Sequence, residues 1–244
     1  MSRLAQHLLL VLLGGVTLRV SLSEAYLAYV QAGFRPLLVA AGAVVLAVGL
    51  LGLVRDRPGR DAGPGQAHEH GGPRVAWLLL APVAVLLVVA PGPLGAFTAQ
   101  RQTAPVSAPP PGDVPLGIGP DDPGESWRTM TLAGYSVRTQ QSDTAPLRDR
   151  RIRLVGFLSP RDGGGWYVTR IRIACCAADA LAVRVVLEGP DADELLAGRS
   201  ADDWVEVVGT YAPSREHPTL GYPEPVLDPD AVATVPAPVD GYED

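Results

Sequence analysis

Cys175 and Cys176 are the only cysteines in the 244-residue chain, and they are adjacent. They stand in the run Ala174-Cys-Cys-Ala-Ala-Asp179 at the end of an apolar, alternating segment. A disulfide between sequence neighbours is strained, so an ordinary staple is not expected here. Three kinds of chemistry remain open. Two thiolates, with Asp179 or a distant His217 as further ligands, would hold a soft or borderline metal such as zinc or copper. A vicinal disulfide would be labile and redox-active. Two small, soft residues could also simply pack at a strand end. Asp179 could equally cap the structure that follows it.

The rest of the reactive inventory is sparse. His68, Glu69 and His70 could hold a divalent cation loosely, or be incidental in a solvated Gly/Pro-rich loop. His217 is the one histidine of the C-terminal half and lies in a Pro-rich turn. No G-x-S-x-G, Walker A, Rossmann or H-E-x-x-H pattern occurs. All 20 basic residues are Arg, which removes lysine chemistry. The chain is therefore expected not to be an enzyme, although a redox role stays open.

Charge divides the chain that must position these residues. Residues 1–101 hold 8 Arg and 4 acids; residues 102–244 hold 12 Arg and 22 acids. Segments 36–54 and 75–97 are uncharged and long enough for a hydrocarbon core of about 30 Å. A first apolar run from Leu4 extends towards Val30 as a third span. A cleaved signal peptide is its rival, but no clear cleavage box follows. About three transmembrane helices are thus expected within 1–101, near 4–30, 36–54 and 75–97, with a His-containing loop at 55–74. Arg55, Arg57, Arg60 and Arg74 put that loop and the N-terminus in the cytoplasm. Everything after the third span is then extracytoplasmic. The spans carry no central charge, which argues against a transporter acting alone.

Residues 102–126 read as a Pro/Gly-rich linker. From 127 to 236 the pattern is that of short strands. These are Arg151–Ser159, a Gly-rich turn, Trp166–Ala174, Leu181–Leu187, a short helix near 190–196, Trp204–Tyr211 with a bulge at Gly209, and 225–235. A mainly β domain follows, most simply an OB-like barrel, with a small sandwich as the alternative. Residues 237–244 read as an acidic tail. The acidic balance argues against nucleic acid as a partner.

Several of these residues together are similar to a known family. They are Cys175 to Ala180 after Arg170 and Arg172, Trp204-Val-Glu-Val-Val-Gly209, Arg151-Ile-Arg-Leu-Val-Gly156 with Phe157, and Gly33-Phe-Arg-Pro36. They resemble the DUF1980 family of YcgQ-like permease subunits, over nearly the whole chain. The resemblance implies a partner, a polytopic permease of the DUF318 type, and a setting in zinc homeostasis. It marks Cys175, Cys176 and Asp179 as the functional positions. The expectation is a membrane-anchored accessory subunit whose outer domain binds zinc or a substrate. A tethered thiol-redox protein and a structural β-module are the alternatives.

Overall fold

The computed structural model describes residues 3–55, 92–102, 121–141, 143–148 and 150–243. The chain forms two compact units, Met1–Pro93 and Leu94–Asp244. His68, His70 and most of the expected third span, 75–91, lie outside the described residues.

In the first unit, helices α1 (Arg3–Leu22) and α2 (Arg35–Arg55) pack against each other as a hairpin. Both are long and apolar enough to cross a membrane. Gly14 and Gly49 set their separation. A Cβ on Gly14 would fall 2.5 Å from the Leu46 nitrogen, and one on Gly49 2.8 Å from that of Val11. Small residues at such contacts let two backbones approach closely.

The first span is shorter than the sequence suggests. Helix α1 stops at Leu22, not near Val30, and a 3-10 turn covers Glu24–Ala28. Ser21 and Ser23 turn their hydroxyls back onto the Thr17 and Val20 carbonyls, and Ser23 accepts from Ala25 N to open the new turn. Arg35, at the start of α2, donates from Nε to the Ser21 carbonyl at 3.0 Å. It thereby serves carbonyls that the helix end leaves open.

The second unit is a closed five-stranded barrel. Its strands are β2 (Arg151–Pro160), β3 (Trp166–Arg172), β4 (Leu181–Leu187), β5 (Trp204–Glu216) and β6 (Pro223–Thr234). Around the barrel the order is β2-β3-β4-β6-β5 and back to β2. All pairings are antiparallel except β4 with β6. Alternate residues of the strands point inward. Ile152, Leu154, Val168, Val183, Val185, Val205, Val207 and Leu227 lie in one core. Gly163, Gly164 and Gly165 all have positive φ in the β2–β3 turn, a conformation that favours glycine. The bulge expected at Gly209 is present in the β5–β6 register.

Strand β2 serves both edges of the closure. Its Arg151–Phe157 stretch pairs with β5 and its Phe157–Pro160 stretch with β3. Gly156 sits just before the β3 pairing begins. A Cβ there would stand 2.5 Å from the Thr169 carbonyl oxygen, so the strands cross too closely for any side chain.

Several peripheral pieces complete the unit, and all but the last differ from the sequence reading. Helix α3 (Ala96–Gln100) occupies residues assigned to the membrane region and begins within the expected last span. Ala96 and Ala99 are buried against Phe157, Ile171, Ala182 and Tyr242, so the barrel unit begins at Leu94, ahead of 127. Residues 121–129 also form part of the unit. Asp122 accepts from the Thr129 backbone N–H at 3.1 Å and leads into β1 (Arg128–Thr129), which pairs with β2. Helix α4 (Leu132–Thr139) adds Leu132 and Tyr135 to the core, and α5 (Ala145–Arg148) adds Leu147. Helix α6 (Ala192–Leu195) is the short helix expected near 190–196.

The expected acidic tail is structural. Tyr242 and Glu243 form β7, which runs parallel to β3. Glu243 is 8 % exposed and its two carboxyl oxygens accept from Leu132 N at 2.7 Å and Ala133 N at 3.0 Å. A carboxylate is favoured at a helix N-terminus, where the first amides lack partners. Burial nonetheless pushes the Glu243 carboxyl above its ordinary value, with the two amides pulling the other way.

Two substitutions test this architecture, read by chemical denaturation of the full chain with tryptophan fluorescence. Gly156→Ala forces β2 away from β3 and is expected to destabilise the barrel by about 1–3 kcal/mol. An unchanged midpoint would show that the crossing has room. Glu243→Ala leaves two helix-start amides without their acceptor and is expected to cost about 2–3 kcal/mol.

Candidate metal centre

The cysteines stand in the connection between β3 and β4. The register fixes its ends, since Arg172 pairs with Leu181 and residues 173–180 bridge them. Ile173 is buried, whereas Cys175 is exposed and Cys176 half-buried. The connection is closed by a 3-10 turn over Ala177–Asp179. Cys176 caps that turn in an extended conformation, with φ −156° and ψ 170°. Its side chain accepts from the Asp179 N–H, and the Asp179 carboxylate in return accepts from the Cys176 N–H. This is a capping box in which a thiol stands where serine or threonine is usual.

Asp179 organises the turn. Its Oδ1 accepts from Ala174 N at 2.8 Å, and its Oδ2 accepts from Cys175 N at 2.9 Å. The Cys175 thiol also donates to Oδ2 at 2.8 Å. These donors hold the Asp179 carboxyl down at about 2, the Cys175 thiol first among them. The partner feels the opposite effect. The Asp179 carboxylate and the neighbouring Cys176 push the Cys175 thiol up to about 11, so at neutral pH it keeps its proton.

The two sulfurs are 3.7 Å apart and both cysteines are free. A tetrahedral ion with metal–sulfur bonds of about 2.3 Å separates two sulfur ligands by about 3.8 Å. The thiols are therefore already at the spacing of two corners of such a site. One ligand atom from each of Cys175, Cys176 and Asp179 lies within 4.8 Å of the others. Among the described residues this is the cluster of three His, Cys, Asp or Glu side chains able to hold an ion. Three protein ligands leave one tetrahedral position for water, substrate or a further donor.

The other ligands considered from the sequence are not part of this group. His217 lies between β5 and β6, buried and stacked on Tyr222 with ring centroids 4.8 Å apart. Its Nδ1 accepts from the Thr219 and Leu220 amides at 3.2 and 3.3 Å. It organises its own turn. His68 and His70 lie outside the described residues.

Sequence reasoning missed one neighbour of the site, Gln102. Its Nε2 donates to the Ala180 carbonyl at 2.8 Å, and its Oε1 accepts from Ala182 N at 2.6 Å. The side-chain amide thus pairs with the chain just after Asp179 as a strand would. No sequence signal marks a glutamine for that role, because its partners are backbone groups 78 and 80 residues away.

No curated protein and no solved structure matches the chain. A family model, that of the DUF1980 C-terminal domain, matches residues 139–243. That stretch holds all five barrel strands, the Cys-Cys turn and β7, so the second unit of the chain carries a DUF1980 C-terminal domain.

Proposed function

We propose that this chain is a membrane-anchored accessory subunit of a permease complex whose barrel binds a soft metal, zinc first, through Cys175, Cys176 and Asp179. The observation that carries the reading is the 3.7 Å spacing of the two free sulfurs beside a carboxylate. Two thiolates and one carboxylate suit zinc, and an open fourth position suits an ion that is passed on rather than kept. The barrel is read as the OB type, from its strand order, its single parallel pairing and the short helix between β4 and β5. The partner is a polytopic permease of the DUF318 type, as the family resemblance implies. The helix hairpin would anchor the chain in lipid, and the excess of Arg at 55–74 favours an extracytoplasmic barrel. An acidic domain on that side attracts cations.

A thiol-redox role fits the turn less well. The attacking species in disulfide exchange is a thiolate, and Asp179 raises the Cys175 thiol far above neutrality. Metal binding faces the same proton but removes it by displacement, with the ion taking the place of the hydrogen between sulfur and carboxylate.

The test uses the full chain in detergent. Cobalt(II) should bind at one ion per chain with a sulfur-to-metal charge-transfer band, and zinc should displace it. Cys175→Ser with Cys176→Ser should abolish the band. Uptake at pH 7 should release protons, because thiols bind the ion as thiolates. A wild-type chain that takes up no cobalt, or whose bound cobalt shows no sulfur band, would leave the turn a structural cap.

A further inference from the structure

Residues Leu94–Gln102 are a strap lying along the barrel edge, and they begin within the segment 75–97 expected to be the last span. Leu94, Ala96 and Ala99 pack in one cluster with Ile171, Ala182 and Tyr242. Leu94 N donates to the Tyr242 hydroxyl at 3.3 Å, and Ala96 N to Asp202 Oδ1 at 2.6 Å. Only the small side chains of Ala96 and Ala99 are fully buried, and Phe97 is 66 % exposed. At its far end, Gln102 makes both of its side-chain bonds to the residues that follow Asp179, and Arg184 holds its carbonyl at 2.9 Å.

The first bond reaches Ala180, the residue next to Asp179. The second fixes Ala182, the first buried residue of β4 beyond the turn. Without Gln102, the Ala180 carbonyl and the Ala182 amide lose these partners, and the turn is held by the Asp179 bonds and the Arg172–Leu181 pairing alone. A short strap docked through Leu94, two alanine side chains and a few polar bonds is the kind of element that opens without global unfolding.

We infer that the strap is a regulatory element of the metal turn, with Gln102 as the positioning residue that couples the two. The inference rests on the metal reading of Cys175, Cys176 and Asp179. With the strap docked, the turn is ordered and its three ligand atoms are gathered. With the strap lifted, the turn loosens and the ion is released. Linkage makes the coupling reciprocal, so a bound ion must also hold the strap down.

The experiment compares wild type, Gln102→Ala and Gln102→Glu as full chains in detergent, with Arg153→Ala as a control. Arg153 pairs with Glu206 elsewhere in the barrel. Hydrogen exchange is read at the Ala174 and Cys175 amides and along 94–102, without metal and with zinc. Affinity is read with cobalt(II). Gln102→Ala should bind cobalt about tenfold more weakly and speed exchange at Ala174 and Cys175. Gln102→Glu keeps the acceptor for Ala182 but loses the donor to Ala180, and should fall between. Zinc should slow exchange along 94–102 in wild type and much less in Gln102→Ala. Arg153→Ala should change neither. Equal affinity and equal exchange in wild type and Gln102→Ala would overturn the coupling while leaving the metal reading intact. A wild type that binds no cobalt would overturn the metal reading and this inference with it, and the metal-free exchange would show whether the clip alone orders the turn.

Discussion

Closure of the barrel rests on one strand changing partners. Strand β2 lies against β5 over its first seven residues and meets β3 only from Phe157 onward. Everything else in the unit is placed by that crossing. It puts β3 where β4 can pair with it throughout its length, and the register between them sets the eight residues of the Cys-bearing connection. It also leaves the first part of β2 open on one edge, which β1 covers. The absence of a side chain at Gly156 is thus a precondition of the cysteine turn, although the atoms nearest to a Cβ at Gly156 belong to Val168 and Thr169 and not to the turn.

What the sequence made legible was whatever depends on neighbours in the chain. Alternation over Arg151–Ser159 and Trp166–Arg172 identified the strands, because a strand's side chains point to opposite sides in turn, but it did not say which face of β3 turns inward: Val168 lies in the main core, and Tyr167 and Ile171 pack in other clusters. Adjacency of the cysteines and the spacing to Asp179 put the three residues in one turn, since a capping box spans only four residues. Helix α3 was hidden because its uncharged residues continue an apolar run, and only burial against Ile171 and Tyr242 separates it from a span. Strand β7 was hidden because two residues carry no periodicity, and Glu243 reads as tail until its helix partner is seen.

The polar interior follows one rule. Each buried carboxylate with a described role meets more than one donor. Glu224 accepts from Tyr167 and from Arg161, which lies 2.8 Å away. Glu243 accepts from two helix amides. The guanidinium groups serve carbonyls as well as acids. Arg170 bonds the Tyr242 carbonyl and Arg184 that of Gln102. An Arg-only cation set suits this use, because its fork of donors reaches two acceptors at once. Net negative charge therefore coexists with a core in which acids are satisfied.

The clasp of Glu243 onto Leu132 spans 111 residues of chain. Helix α4 is made before the five barrel strands, and its start is served by a residue made after all of them. During synthesis, therefore, α4 and its Leu132 and Tyr135 must wait for the whole barrel sequence before they can lock. Native contacts that are so distant in sequence delay folding, since a long loop must close before they reward it. The unit is built to fold late, as a finished segment, rather than piece by piece as it is extruded.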